Sequence, residues 1–126
     1  MTTTLFELSN IHRRFRLGET IVPALRGVDL SIQRGESVAV WGPSGSGKST
    51  LLNLLGLIDA PDEGTLLFHG EDVHSLSDDA LTDCRNRSIG FVFQSFNLVP
   101  VLTALENIEL PLQIQGVAGG ASRKRA

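Results

Sequence analysis

The chain has 126 residues, of which 41% are hydrophobic and 20% charged, and its formal net charge is −3. These values are typical of an ordinary soluble domain or part of one, and the slightly acidic balance argues against nucleic acid or an anionic membrane as the main partner. A single cysteine excludes an internal disulfide and a zinc cluster.

The front of the chain predicts a small β layer. Hydrophobic and polar residues alternate over 5–10 and again over 28–32, a pattern typical of strands that pair as a hairpin. The polar residues 13–19 between these segments predict a turn or an exposed loop. We therefore expect two antiparallel strands at the front, separate from the rest of the fold.

The middle of the chain alternates between strand and helix patterns. Residues 37–41 are an apolar, β-branched run that leads into glycine-rich sequence, which predicts a buried parallel strand. Residues 49–57 have the apolar density of a helix buried against a sheet, and 65–68 predict another strand. Residues 89–93 predict a second buried strand with Gln94 at its end. This alternation predicts an α/β layer.

Two further helices are predicted from their starting residues. Ser77 is a good N-cap, and the two aspartates after it favour the positive end of the helix dipole, so a helix should run to about Arg87. Residues 103–106 form a capping box that opens another helix, which should be interrupted near Pro111.

A glycine-rich loop carries the clearest chemistry. Residues 42–49 read GPSGSGKS and match the pattern G-x-x-x-x-G-K-[ST] at every fixed position. Glycines permit positive φ, so that backbone N–H groups point into one anion nest, and the dipole of the following helix adds to it. Lys48 would contact the β- and γ-phosphates, and the Ser49 hydroxyl would ligate Mg²⁺. The predicted nucleotide-binding residues of the loop are Gly42, Pro43, Ser44, Gly45, Ser46, Gly47, Lys48, Ser49 and Thr50.

The alternative for this loop is a glycine-rich turn that holds a lysine by chance. A lone G-x-G would leave that alternative standing. Here an apolar strand pattern precedes the loop and an apolar helix pattern follows it, which is the context that the motif requires. The sequence therefore predicts a phosphate-binding loop.

Several segments resemble ABC transporter ATPases. Residues 42–53, GPSGSGKSTLLN, are similar to the family's Walker A segment. Residues 25–32 are similar to the segment that precedes Walker A in the family. Residues 89–94, IGFVFQ, resemble the Q-loop strand, and 96–112 are similar to a bacterial subfamily that serves lipoprotein release and macrolide export. The resemblance covers nearly the whole chain. It implies an α/β P-loop NTPase core with an N-terminal antiparallel β-subdomain and with the C-terminal half absent.

The resemblance also implies roles for two residues outside the loop. Phe15 lies where the family places an aromatic that stacks on adenine, and the alternative is a loop aromatic that closes the small β layer. Gln94 lies where the family places a glutamine that contacts Mg²⁺ or its water and senses the γ-phosphate, and the alternative is a polar strand end. The implied cofactors are ATP and Mg²⁺, with Ser49 and Gln94 as metal ligands.

Four further elements of the family do not occur in the 126 residues: an LSGGQ-like signature, a Walker B aspartate with its catalytic glutamate, a D-loop and a switch histidine. No catalytic residue is assigned, and whether the chain is an enzyme stays open. Residues 1–115 correspond to the N-terminal part of the nucleotide-binding domain. Residues 116–126 are a flexible tail or the start of a truncated helical subdomain. We expect a truncated reading frame whose downstream DNA encodes the missing motifs.

The function that the resemblance implies is that of an ATP-binding subunit of a bacterial ABC exporter, which couples ATP binding and hydrolysis to a membrane permease. In the family the complete subunit forms a homodimer, and no nucleic-acid partner is expected. Two alternatives stay open: a non-catalytic nucleotide-binding fragment, and an ABC ATPase that regulates a membrane complex without transport. No signal-peptide pattern and no apolar run long enough to cross a bilayer occur. We therefore expect a cytoplasmic location, on the inner face of the cell membrane through the permease.

Overall fold

A computed structural model describes residues 3–126 of the chain. The chain folds as two compact units, of which the first ends at Leu81 and the second spans Thr82–Ala126. The first unit contains the β-strands and the glycine-rich loop, and the second contains helices and an irregular connecting segment.

The first unit is built on a four-stranded antiparallel sheet with the strand order β2-β1-β3-β4. Its strands are β1 (Thr4–Leu17), β2 (Thr20–Gln33), β3 (Glu63–Phe68) and β4 (Glu71–Asp72). β1 and β2 form a hairpin, and β3 pairs with the other side of β1. The structure confirms the strands predicted at 5–10, 28–32 and 65–68, and it confirms the antiparallel hairpin of the first two.

β1 is longer than the sequence predicts. It continues through the polar residues 13–17, so the predicted loop over 13–19 is wrong except for the tight turn at Gly18 and Glu19. Phe15 lies opposite Val22 in the hairpin register. Alternate side chains of an antiparallel strand can face water, and charged residues are therefore compatible with strand structure here.

The apolar core of the first unit joins the sheet to the helix after the glycine-rich loop. Phe6 of β1 and Phe68 of β3 are register partners, and their ring centroids lie 4.7 Å apart. Burial of one such side chain contributes about 1.5–3 kcal/mol. The buried apolar side chains are Phe6, Leu8, Ile11, Leu25, Leu54, Leu57, Leu66, Phe68 and Val73.

Four α-helices and one short 3-10 helix accompany the sheet in the part of the chain that the structure describes. The first unit contains α1 (Lys48–Leu55) and the 3-10 helix (Val73–Ser75), and the unit boundary falls within α2 (Asp78–Ser88). The second unit contains α3 (Ala104–Ile114) and α4 (Gly119–Arg125), the latter within the segment 116–126. None of these helices combines the length and apolar character that a membrane crossing requires. The helices predicted at 49–57 and from Ser77 to about Arg87 are confirmed.

α3 begins at the predicted capping box. The Thr103 side chain accepts a hydrogen bond from the backbone N–H of Glu106 at 3.3 Å, and the Glu106 carboxylate accepts one from the backbone N–H of Thr103 at 2.7 Å. The predicted interruption near Pro111 is wrong, because α3 continues to Ile114. A proline removes one i→i−4 hydrogen bond, and the bonds on either side of it keep this helix continuous. The backbone N–H of Gln115, for example, donates to the Pro111 carbonyl at 3.2 Å.

The two buried parallel strands predicted at 37–41 and 89–93 do not form within residues 3–126. A β-strand needs hydrogen bonds to a neighbouring strand, and neither segment is paired in the sheet. Most of their apolar residues are accordingly exposed, Trp41 by 89% and Phe93 by 52%, while Val40 and Ile89 are partly buried. An apolar run predicts burial only where neighbouring strands and covering helices are available.

Candidate phosphate-binding site

The glycine-rich loop leads directly into α1, and its backbone has the conformation that the motif requires. Gly45 has a φ of +80° and Gly47 a φ of +96°, in the left-handed region that favours glycine. Gly47 is the N-cap of α1, and no side chain caps this helix start. The first turn contains no acidic residue, so the partial positive charge of the helix end is not compensated there by a carboxylate.

Gly47 also fixes the loop against the sheet. A Cβ atom at this position would lie 2.6 Å from the backbone oxygen of Ala24 in β2 and 3.1 Å from a methyl carbon of Leu25. Only glycine allows this approach between the start of α1 and the backbone of β2. The β1–β2 hairpin thereby sets where the phosphate loop lies.

Lys48 folds back over the loop. Its ammonium group donates hydrogen bonds to the backbone oxygens of Gly42 and Pro43, both at 2.7 Å, and to the Ser46 hydroxyl at 3.3 Å. The charge is therefore held at the centre of the loop by neutral acceptors rather than by a carboxylate. An anionic ligand offers stronger acceptors to the same donors, since charge-assisted hydrogen bonds are about twice as strong as neutral ones.

A cleft of about 300 Å³ brings the loop and Phe15 together. Phe15 contributes from β1, Val22 and Pro23 from β2, and the start of α1 forms the remaining wall. Hydroxyl-bearing residues and Lys48 line the cleft at the loop and Phe15 lines it at the other side, which suits a ligand with a phosphate end and an aromatic end. Its lining residues are Phe15, Val22, Pro23, Ala24, Ser44, Gly45, Gly47, Lys48, Ser49 and Thr50.

Phe15 is not held by the apolar core. Its side chain is 38% exposed, and the guanidinium carbon of Arg13 lies 4.8 Å from the centroid of its ring. This is a cation–π contact between residues two positions apart on β1. The ring is consequently a half-exposed aromatic plate at the edge of the cleft.

Arg13 is itself held by two carboxylates from the segment between α1 and β3. Its Nε and Nη2 donate to the two carboxylate oxygens of Asp59 at 2.8 and 3.0 Å, and its Nη1 donates to Asp62 at 2.8 Å. The second Asp62 oxygen accepts the backbone N–H of Arg14 at 2.6 Å. That hydrogen bond, together with those from Arg13 and its charge, lowers the pKa of Asp62. The hydrogen bond to Asp59 is the main cause that raises the pKa of Arg13.

Gln94 lies in the second unit, in a bend of the irregular segment between α2 and α3. Its side chain is exposed, as are Phe91 and Phe93, whose rings stack with centroids 5.5 Å apart. The structure brings Phe15 and the residues of the phosphate loop together. The role of Gln94 as a metal ligand stays a prediction.

The sequence analysis missed the contact of Arg13 with Phe15 and the two carboxylates, Asp59 and Asp62, that hold Arg13. The signal that the sequence offers is weak: an arginine two residues before the predicted adenine-stacking aromatic, and two aspartates after the predicted helix. Their pairing depends on the register of β1 with β3, which places His12 opposite Glu63. Composition and periodicity do not specify that register.

Comparison with known proteins gives similar sequences over almost the whole chain. A family model described as "ABC transporter" matches residues 25–126. An uncharacterized ABC transporter ATP-binding protein of Thermotoga maritima is 51% identical over 122 residues, which are 97% of this chain and 52% of that protein. The macrolide export ATP-binding/permease protein MacB of Marinobacter nauticus is 51% identical over 122 residues, which are 97% of this chain and 19% of that protein.

A similar fold occurs in a solved structure, the dimeric post-hydrolysis state of the ATP-binding cassette MJ0796 bound to ADP and Pi. The TM-score is 0.87 at 48% sequence identity, and the match covers 96% of this chain and 53% of that one. The cassette comes from Methanocaldococcus jannaschii. The chain thus spans about half the length of this cassette and of the Thermotoga maritima relative.

Proposed function

Because the chain belongs to the ABC transporter family, we propose that it is the ATP-binding part of a bacterial ABC exporter subunit. Its fold class is that of the ABC ATPase cassette, an α/β P-loop NTPase core with an N-terminal antiparallel β-subdomain. The chain spans about half of the matched cassette. ATP hydrolysis, cargo movement and the permease are therefore proposed for the whole subunit.

The observation that carries the proposal is the cleft that Phe15 shares with the start of α1. ATP has an aromatic base at one end and a polyanionic chain at the other. The cleft offers an exposed aromatic ring at one side, and an uncapped helix start with a lysine ammonium at the other. Both ends of the ligand thus have a matching surface within the same unit of the fold.

Within this cleft, the residues have different tasks. Lys48 would bind the β- and γ-phosphates, backbone N–H groups of the loop would surround the phosphate chain, and Phe15 would stack on adenine. The Ser49 residue lines the cleft, and its hydroxyl is the type of oxygen ligand that Mg²⁺ accepts. Gln94 does not line the cleft, and its role as a Mg²⁺ ligand is proposed only from the resemblance to ABC ATPases. Mg²⁺, when bound, supplies charge neutralisation for the phosphates.

The exporter assignment is supported by the names of similar proteins. The Marinobacter nauticus relative is a macrolide export ATP-binding/permease protein, and the solved MJ0796 cassette is dimeric. We propose that the complete subunit likewise forms a homodimer, acts with a membrane permease and lies at the inner face of the membrane. A neighbouring gene for a permease with a large periplasmic domain would support export. Flanking genes for a membrane complex without a permease would support a regulatory role instead.

The nucleotide site is tested by titrating the 126-residue chain with ATP in a calorimeter. Lys48→Ala should reduce ATP affinity most, because it removes the charge-assisted contact, and Phe15→Ala should cost about 1–3 kcal/mol from the lost stack. Lys124→Ala in α4 is the matched control, since it removes the same charge far along the sequence from the loop. Equal ATP affinities of Lys48→Ala and the parent would show that the loop is not the site.

A further inference from the structure

We propose that Arg13 is a positioning residue for adenine binding: it holds the Phe15 ring in the orientation that stacks on the base. This inference rests on the proposed function of Phe15. Arg13 itself has no place among the residues that line the cleft. Its effect on the nucleotide is exerted through the aromatic ring.

The guanidinium plane of Arg13 is fixed by its hydrogen bonds. Three of its N–H groups are used by carboxylate oxygens, two by Asp59 and one by Asp62, at 2.8–3.0 Å. The Asp59 contact is bidentate, and two parallel hydrogen bonds determine the plane of the group as well as its position. The Arg13 side chain is 22% exposed, so much of its motion is already restricted by packing.

This fixed plane lies over the Phe15 ring, with 4.8 Å between the guanidinium carbon of Arg13 and the ring centroid. Phe15 is half-exposed, and no ring pair within residues 3–126 includes it. Without Arg13, its ring would have the rotamer freedom of an exposed side chain. With Arg13 on one face, the ring is presented as a plate whose other face can accept the base.

Asp59 follows the phosphate-loop helix, four residues after its last residue Leu55. The backbone N–H groups of Ile58 and Asp59 donate to the Asn53 carbonyl at 3.0 and 3.3 Å, and the Ala60 N–H donates to the Asp59 carboxylate at 2.9 Å. The carboxylate that orients Arg13 is therefore anchored to the chain that continues from α1. The Phe15 ring and the chain that continues from α1 are thus linked through Arg13 and its ion pair with Asp59.

The experiment compares two ligands, ATP and inorganic triphosphate, because only ATP carries the base. Arg13→Gln should weaken ATP binding about two- to fivefold, the equivalent of a cation–π contact of 0.5–1 kcal/mol, and should leave triphosphate binding as in the parent. Arg14→Gln is the matched control, because Arg14 lies next to Arg13 on β1 and the change removes the same charge, together with an ion pair to Glu63 of β3. It should leave both affinities, and their ratio, unchanged.

Asp59→Asn provides a second measurement that keeps Arg13 and its ion pair with Asp62 but removes the ion pair with Asp59. It should also lower the affinity ratio of ATP to triphosphate, and it decides the matter if Arg13→Gln does not fold. Equal losses for both ligands in these variants would mean that the ion pair only stabilises the fold, and the proposal would be overturned. If Phe15→Ala leaves the ratio unchanged, the adenine role of Phe15 itself is wrong. If Phe15→Ala lowers the ratio and neither other variant does, only the role of Arg13 is wrong.

Discussion

At the scale of single residues, Lys48 shows how the loop is prepared for an anion. Its ammonium group already lies over the loop, held by two carbonyls and a hydroxyl. These acceptors keep the charge near the helix start without neutralising it. A phosphate that enters the cleft meets an oriented cation, and less conformational entropy of the lysine side chain has to be lost on binding.

An alanine at position 47 would meet two kinds of strain, an unfavourable positive φ and a steric clash with β2. Gly47→Ala should lower the free energy of unfolding by more than Gly35→Ala, as measured by urea denaturation. Both positions have positive φ, +96° and +81°, which costs an alanine about 1–2 kcal/mol. Only at Gly47 would the new methyl also meet the Ala24 oxygen at 2.6 Å, which should add about 1–3 kcal/mol. Equal destabilisation by the two substitutions would contradict the close approach of α1 to β2.

The conformation of the glycine-rich loop and the start of α1 could be predicted from the sequence because their causes are local. Glycine at positions 45 and 47, and lysine at 48, act through the backbone conformation and the helix start that they themselves form. The ion pair between Arg13 and Asp59 could not be predicted in the same way. It joins residues far apart in the sequence, and their contact follows from strand register and from the path of the chain after α1.

At the scale of secondary-structure elements, Asp62 ties β1 to the start of β3, and its pKa gives a pH-dependent prediction. Its pKa is lowered in the folded chain, first by the hydrogen bond from the Arg14 backbone and then by Arg13. A carboxyl with a lowered folded-state pKa stabilises the fold fully above its unfolded-state pKa of about 3.9. That contribution is lost as the pH falls through the lower folded-state pKa.

The parent should therefore lose stability between about pH 5 and pH 3, and Asp62→Asn should lose less over the same range. Urea denaturation of both chains at pH 7 and pH 3 measures the difference. At pH 7 the variant should be the less stable of the two. The same decrease in unfolding free energy for both chains would show that the carboxylate of Asp62 is not held as described.

The capping box of α3 gives a second prediction at this scale. Thr103→Ala removes the acceptor for the Glu106 N–H and should destabilise the start of α3 by about 1 kcal/mol. Amide hydrogen exchange in the first turns of α3 should become faster by about fivefold. Thr103→Ser keeps the hydroxyl and should exchange at nearly the parent rate. Unchanged exchange in Thr103→Ala would mean that the cap does not stabilise the helix.

Elements with local signals were predicted well, and elements that depend on neighbours were not. Ser77 and Thr103 each cap the helix that the sequence assigns to them, because a cap is satisfied by the next three residues. The segments 37–41 and 89–93 have strand composition, but no neighbour in the sheet pairs with them. At Pro111 the local signal was misleading, because the proline predicts a break in the helix but is tolerated within the capped helix α3.

At the scale of the whole molecule, ATP binding should be observed without ATP hydrolysis. We expect the purified 126-residue chain to bind ATP but to release no phosphate above background. Phosphoryl transfer to water needs an oriented nucleophile and a metal held by more than one ligand. The 126 residues contain no Walker B aspartate, catalytic glutamate or LSGGQ-like signature. Phosphate release by the chain, with Lys48→Ala as the contamination control, measures this.

Turnover that depends on Lys48 would contradict this prediction and would point to another acidic residue as the base. Glu106 is engaged by Thr103 in the capping box, and Glu109 is buried with 7% exposure. Neither carboxylate is therefore well suited to hold an attacking water. Activity that returns only when a polypeptide with the missing motifs is added would agree with the prediction.

The pairing of β3 with β1 has a consequence for the order in which the chain folds. β1 and β2 are adjacent in sequence and can form their hairpin within microseconds, whereas β3 joins the sheet only after the chain has passed through the glycine-rich loop and α1. Closure of that long loop has a larger entropic cost and is slower. The glycine-rich loop and α1 lie within the segment that the pairing of β3 with β1 closes. During refolding, polyphosphate binding should therefore appear in the slow kinetic phase in which β3 pairs with β1, after most of the hairpin has formed.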